Sequence, residues 1–299
     1  MRRGPCEQEN PQMSTLQTDP LAYAPTDRRI WLMGLPVDNL TMGEAIQQIT
    51  GSPGQPPRMV FFVNAHCVNV ALRNQDYRRL LQRADLVLPD GIGLKLAGMA
   101  LGTPIRDNAN GTDLFPPLCR ALAASGGRIF LLGARPGVAE GVCAWANRHC
   151  PELVITGCHH GYFTRAEEPL VIEKIAQSGA DLLFVAMGVP RQELWIGQHL
   201  ESLGVRVALG VGGLFDFYSG RIPRAPLWMR RAGLEWLYRL IREPVRLGKR
   251  YLVGNPVFLG RVAWYAWRRG ARRRPPWQEV PGPMEWPVRQ ARGRTGRAD

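Results

Sequence analysis

Short unbroken apolar runs, each closed by glycine, proline or a small polar residue, recur from residue 30 to residue 211. Ile30–Leu35, Met59–Val63, Ala84–Pro89, Arg128–Gly133, Val154–Gly157, Asp181–Gly188 and Val205–Val211 read as strands. A strand covered on both faces is apolar throughout rather than alternating, which is the habit of parallel sheets. Between the runs lie segments with helical spacing. Thr41 caps one that carries Ala45, Ile46 and Ile49, and one helix with Val68, Leu72 and Leu80 follows Asn64. Others cover Ile92–Leu101, the stretch ending at Ala124, Val138–His149, Leu170–Ser178 and Arg191–Leu203. Strands alternating with helices at this spacing predict βαβ units. The pattern restarts near residue 125, so the strands make two sheets or one extended sheet.

The expected class is therefore α/β: Rossmann-like parallel sheets flanked by helices, in two subdomains over 29–125 and 126–220. Residues 1–28 and 275–299 are Pro-rich and polar or Arg-rich, and are expected to be disordered. A net charge of +13 changes the picture by its location. Residues 1–220 hold 19 basic and 20 acidic side chains, whereas 221–274 hold 15 and 2. That basic segment is interleaved with Trp and Tyr and predicts a helical appendage. Six cysteines show no C-x-x-C pair, as expected of free thiols in a reducing compartment. Cys150, Cys158, His159 and His160 lack zinc-finger spacing. The five histidines form no triad with a G-x-S-x-G serine, which argues against hydrolysis. No run is long and apolar enough to span a bilayer, and no signal-peptide core follows Met1.

Candidate chemistry sits at strand ends, where open α/β sheets bind ligands. Asp90 ends one such run, before Gly91 and Gly93; on residue type it is either a helix N-cap or a catalytic carboxylate. Asn64 is likewise a cap or a polar ligand. Asp216 follows a glycine-rich turn, as a turn-stabilising residue or a ligand for ribose hydroxyls. The turn Gly133–Gly137 is glycine-containing but lacks the G-x-G-x-x-G of a dinucleotide loop.

Eight motifs occur together: Asn64-Ala65, Leu88-Pro89-Asp90-Gly91, Gly111-Thr112-Asp113-Leu114, Gly161-Tyr162-Phe163, Gly188-Val-Pro-Arg-Gln-Glu193, Gly210-Val-Gly-Gly-Leu-Phe-Asp216, Gly220-Arg-Ile-Pro-Arg-Ala-Pro226 and Glu235-Trp-Leu-Tyr-Arg239. In this order, over about residues 30–255, the chain resembles the WecG/TagA/CpsF bacterial glycosyltransferases (glycosyltransferase family 26). The resemblance implies transfer of N-acetylmannosamine or a related hexose from a UDP-sugar to a sugar on a polyprenyl-diphosphate carrier, in cell-surface polysaccharide synthesis. It implies an acceptor-binding catalytic half (29–125) and a nucleotide-sugar half (126–220), with no cofactor beyond the UDP-sugar substrate.

By that resemblance Asp90 is the general base, Asn64 and Gln192 share the active site, and Arg239, Arg246, Lys249 and Arg250 stabilise the departing diphosphate. Sugar transfer with inversion needs one carboxylate to take the acceptor proton. The sequence holds no Asp-x-Asp metal pair, so arginines are expected to meet the developing charge. Glu193 is expected to partner an arginine, and Asn108, Gly133 and Gly188 to line the substrate site. Two positions depart from the family pattern: Phe62 stands where many members have Thr, and Asn108 where many have Arg, with Arg106 as a nearby substitute.

The basic segment fits an anionic membrane surface, where a lipid-linked acceptor presents its sugar. The expectation is a cytoplasmic protein bound peripherally to the inner leaflet, with no nucleic-acid partner and self-association left open. The rival from another class is a non-catalytic nucleotide- or nucleic-acid-binding α/β protein with a basic tail.

Overall fold

The computed structural model describes residues 28–51 and 54–272. The disorder expected of the leader and of 275–299 falls outside the described residues, apart from Arg28. Six parallel strands form one sheet in the order β4-β3-β8-β7-β5-β6. They are β3 (Arg58–Val63), β4 (Leu86–Pro89), β5 (Arg128–Gly133), β6 (Val154–His159), β7 (Leu182–Ala186) and β8 (Val207–Gly210). Strands from both halves of the chain thus share a single sheet, the extended form of the two that the pattern left open. The join is β3 against β8, with Met59 opposite Ala208 and Phe61 opposite Gly210.

Ile30–Leu35, expected as one strand, is instead a hairpin of β1 (Arg29–Leu32) and β2 (Leu35–Asp38). The turn falls on Met33 and Gly34, both at positive φ, and no Asn-Gly signal marks it. Asp38 is buried, pairs with Arg29 at 2.8 Å and accepts from the Val87 amide at 2.6 Å, tying the hairpin to β4.

The helices run α1 (Met42–Thr50), α2 (Ala65–Ala71), α3 (Gln75–Arg83), α4 (Ile92–Ala100), α5 (Gly111–Ala124), α6 (Val138–His149), α7 (Glu168–Gln177), α8 (Arg191–His199) and α9 (Leu214–Tyr218). Thr41 and Glu44 complete a reciprocal capping box on α1. The single helix expected across Val68 and Leu80 is two, because Asn74 accepts from the Tyr77 amide and starts α3. Phe61, Phe130, Leu132, Leu183 and Ala208 belong to one apolar cluster, and Val60, Ile129, Leu131, Phe184 and Leu209 to another. Alternate residues of the same strands feed different clusters, which is why those strands carry no polar face.

The basic segment folds as α10 (Leu227–Arg231), α11 (Glu235–Arg242), α12 (Pro244–Gly248), a π-helical turn over Lys249–Val253 and α13 (Gly254–Arg272). Phe258 and Val262 anchor α13 in the core beside α2 and α4. Arg261 donates to Asn69 at 2.6 Å, and Asn69 donates to the Gly254 carbonyl at 2.8 Å. The appendage is therefore packed on the sheet domain. No helix among the described residues is long and apolar enough to cross a membrane.

Candidate active site

A cavity of about 530 Å³ opens at the carboxyl ends of the strands, within the range of roughly 300–1,000 Å³ usual for small-molecule sites. Its wall takes Asn64 from the end of β3, Asp90 from the end of β4, Ala134 and Arg135 after β5, Tyr162 after β6, Gly188 and Gln192 after β7, and Gly212 and Gly213 after β8. Arg221, Arg239, Arg246 and Arg250 close it from the C-terminal segment. Asp90 and these cations lie far apart in the sequence and meet across one hollow.

Register explains the carboxylate's place. Val63 lies opposite Pro89, and the Asp90 amide donates to the Val63 carbonyl at 2.8 Å, so Asn64 and Asp90 leave the sheet side by side. Asn64 Nδ2 donates to Asp90 Oδ2 at 3.1 Å. Its Oδ1 meanwhile accepts from the His66 and Cys67 amides at 3.1 and 3.3 Å, so this residue is both the cap of α2 and a polar neighbour of Asp90. Asp90 itself is no cap: Gly91, at φ 93°, holds that position on α4 and no side chain completes it. Burial raises the Asp90 pKa, the Asn64 amide and the charges of Arg250 and Arg239 oppose the rise, and Glu235 adds to it. His66, a wall residue that sequence reasoning set aside, is pushed down to about 4 by burial and then by Arg250, and is neutral at physiological pH.

Gln192 is buried and both ends of its amide are engaged. Oε1 accepts from the Gly188 and Gly212 amides at 3.0 and 2.9 Å, and Nε2 donates to Glu193 Oε1 at 2.9 Å. It therefore staples the two glycine turns of the cavity wall. Glu193 corrects an expectation: its partner is Gln192 and not an arginine, because α8 turns it into the interior, fully buried. Its Oε2 has no hydrogen-bond partner among the described residues, and burial pushes its pKa up to about 7.

Asn108 does not reach the cavity wall; its Oδ1 accepts from the Gly91 amide at 2.6 Å and supports the turn beside Asp90 from behind. Arg106 is no substitute, since it pairs with Glu44 at 2.9 Å on the surface. Gly133 also stands off the wall. At φ 134°, a Cβ there would fall 2.5–2.7 Å from the Ala186 backbone, so glycine lets β5 and β7 close together. Lys249 is exposed and away from the wall, while Arg250, one residue on, turns inward. Phe62 lines the cavity and packs on Gly111, whose Cβ position is 3.4 Å from the ring.

Asp216 is buried and already paired, at 2.7 Å to Arg221 and 3.4 Å to Arg246, so it holds arginines. Arg246 is also 2.8 Å from Glu243. Arg224 joins Asp113 at 2.7 Å and Glu235 at 3.2 Å, linking the start of α5 to α11. Arg221, on the cavity wall, and Arg224, which links α5 to α11, were missed as site-building residues, although both lie in the Gly220–Pro226 motif.

A carboxylate that can take a proton, facing guanidinium groups that can hold an anion across one cavity, suits a group-transferring enzyme. Comparison gives that class its name, glycosyltransferase. Residues 30–272 match the Glycosyl transferase WecG/TagA/CpsF family, and the chain belongs to it. It is 36% identical over 184 residues to the N-acetylglucosaminyldiphosphoundecaprenol N-acetyl-beta-D-mannosaminyltransferase of Bacillus subtilis strain 168, spanning 62% of this chain and 71% of that protein. To the Staphylococcus aureus MRSA252 protein of the same name it is 30% identical over 238 residues, 79% of this chain and 92% of the relative.

Proposed function

We propose that this glycosyltransferase moves N-acetylmannosamine, or a closely related hexose, with inversion from a UDP-sugar to N-acetylglucosamine on a polyprenyl-diphosphate carrier. The names of the relatives supply the sugar and the acceptor class. The observation that carries the reading is Asp90 and Asn64 facing Arg239 and Arg250 across a single cavity. Asp90, acting as base, takes the proton of the acceptor hydroxyl as its oxygen bonds to the anomeric carbon. The bond from that carbon to the β-phosphate oxygen breaks, and its electron pair leaves with UDP. Guanidinium groups aimed at the diphosphate stabilise the charge that develops there.

The appendage would meet the inner leaflet. Leu227, Trp228, Ile241, Val245, Leu252 and Trp267 are exposed on a segment dense in arginine, the composition of a surface that settles on anionic lipid. Release of UDP from UDP-N-acetylmannosamine, on mixing with a polyprenyl-diphosphate N-acetylglucosamine in anionic vesicles, tests the whole reading. Asp90→Asn is expected to lose roughly 10²–10⁴-fold in turnover while still binding UDP. Unchanged turnover in that variant removes Asp90 as base, and UDP binding with no transfer by the unaltered chain leaves a nucleotide-binding protein.

A further inference from the structure

The four cavity arginines of the C-terminal segment are held in two different ways. Arg221 and Arg246 pair with Asp216. Arg239 and Arg250 have no carboxylate oxygen within ion-pair distance among the described residues, and the Nε of each is buried without a hydrogen-bond partner. Arg239 lies instead over the ring of Phe217, 4.9 Å from its centroid, and Arg250 lies 5.5 Å from that of Tyr251. Gly213 completes the Arg239 seat: a Cβ there would sit 2.9 Å from Nη2. Phe217 is buried, belongs to α9 and reaches the cavity wall.

A carboxylate seat would cancel much of the guanidinium charge and compete with an incoming anion. An aromatic face attracts the cation through its quadrupole and leaves the N–H donors free. We infer that Phe217 is a positioning residue for the transfer reaction: its ring seats the Arg239 guanidinium, still charged and unsatisfied, where the donor's diphosphate binds. The inference rests on the proposed role of Arg239 as a diphosphate ligand. It gives Asp216 and Phe217, neighbours on one short helix, different tasks. Asp216 fixes the arginines of the rim, and Phe217 fixes one inside without neutralising it.

The test grades the ring electronically at nearly constant shape. Phe217 is replaced in the full-length protein by mono-, di- and trifluorophenylalanine, and UDP affinity is measured by calorimetry alongside the thermal midpoint and transfer kinetics. The same series is made with Arg239→Ala. The expected result is stepwise weakening of UDP binding with each fluorine, on the order of fivefold across the series, and no dependence on fluorine once Arg239 is alanine. Phe217→Trp should bind at least as well as the unaltered protein, and Phe217→Leu should bind more weakly. If affinity ignores fluorination while Arg239→Ala still loses UDP, Phe217 only fills space and its positioning role is overturned. If Arg239→Ala binds UDP normally, the seat and the diphosphate role fall together. A slope that persists without Arg239 assigns the effect to Arg224, 5.8 Å from the same ring, and also overturns the inference.

Discussion

Asn64 uses both ends of its side chain, capping α2 with its oxygen and reaching Asp90 with its nitrogen at 3.1 Å. The helix cap thereby fixes where the donor to the carboxylate stands. Because that amide favours the ionised form, its loss raises the Asp90 pKa further. Asn64→Ser keeps a good cap but gives up the reach. The acid limb of the kcat/KM profile should move to higher pH, since a base works only when deprotonated. An unmoved limb would separate Asn64 from the titration of Asp90.

Glu193 makes stability depend on pH. Its folded pKa of about 7 lies above the ordinary carboxylate value, so the folded state holds a proton that the unfolded chain has released. The sign follows: stability is full below the unfolded value, near 4.5, and is lost as pH rises through about 7. The upper bound on the loss is about 3 kcal/mol. Glu193→Gln keeps an acceptor for Gln192 and removes the ionisation. Urea unfolding at pH 5.5 and 8.5 should show a smaller decline in the variant, with the variant the more stable of the two at the higher pH.

Much of this frame is legible in the chain, and its gaps have physical causes. Continuous apolar runs such as Phe61–Val63 and Leu182–Val185 announce buried parallel strands because no face of them meets water. The Met33-Gly34 turn does not announce itself, since a methionine at positive φ carries no local signature. Asp90 and Asn64 could be placed at strand ends from sequence, but their adjacency depends on the β3–β4 register. Glu193 was misassigned because its neighbour in space is also its neighbour in sequence. Asp216 stood open between a turn role and a ribose ligand, and nothing local tells of its contact with Arg246, thirty residues on.

The Arg224 fork joins Asp113 on α5 to Glu235 on α11 and thereby holds the appendage against the sheet domain. Arg224→Ala leaves both carboxylates without it, at a cost of roughly 1–3 kcal/mol given the partial exposure of Asp113. Hydrogen exchange should accelerate over α10 and α11 while amides of β3, β7 and β8 stay protected. Uniform acceleration throughout the chain would make this a global contact instead.

Gly133→Ala tests the closure of β5 on β7. The added methyl would enter the Ala186 backbone, and the positive φ disfavours any side chain. Overpacking of this kind costs about 1–3 kcal/mol or more. A fall of several degrees in Tm and reduced soluble yield are expected, whereas Gly137→Ala, at a position open around its Cβ, pays only the backbone strain.

The cationic wall arrives late in synthesis. A nascent chain reaches Asp90 in its first third, yet Arg239 and Arg250 emerge only after every strand of the sheet has been translated. Until α11 and the turn at Lys249–Val253 fold back, Asp90 faces a hollow that lacks Arg239 and Arg250. The full set of facing charges is thus withheld from a partly made chain, and a product cut off before Leu227 would hold its strands and Asp90 but lack Arg239, Arg246 and Arg250.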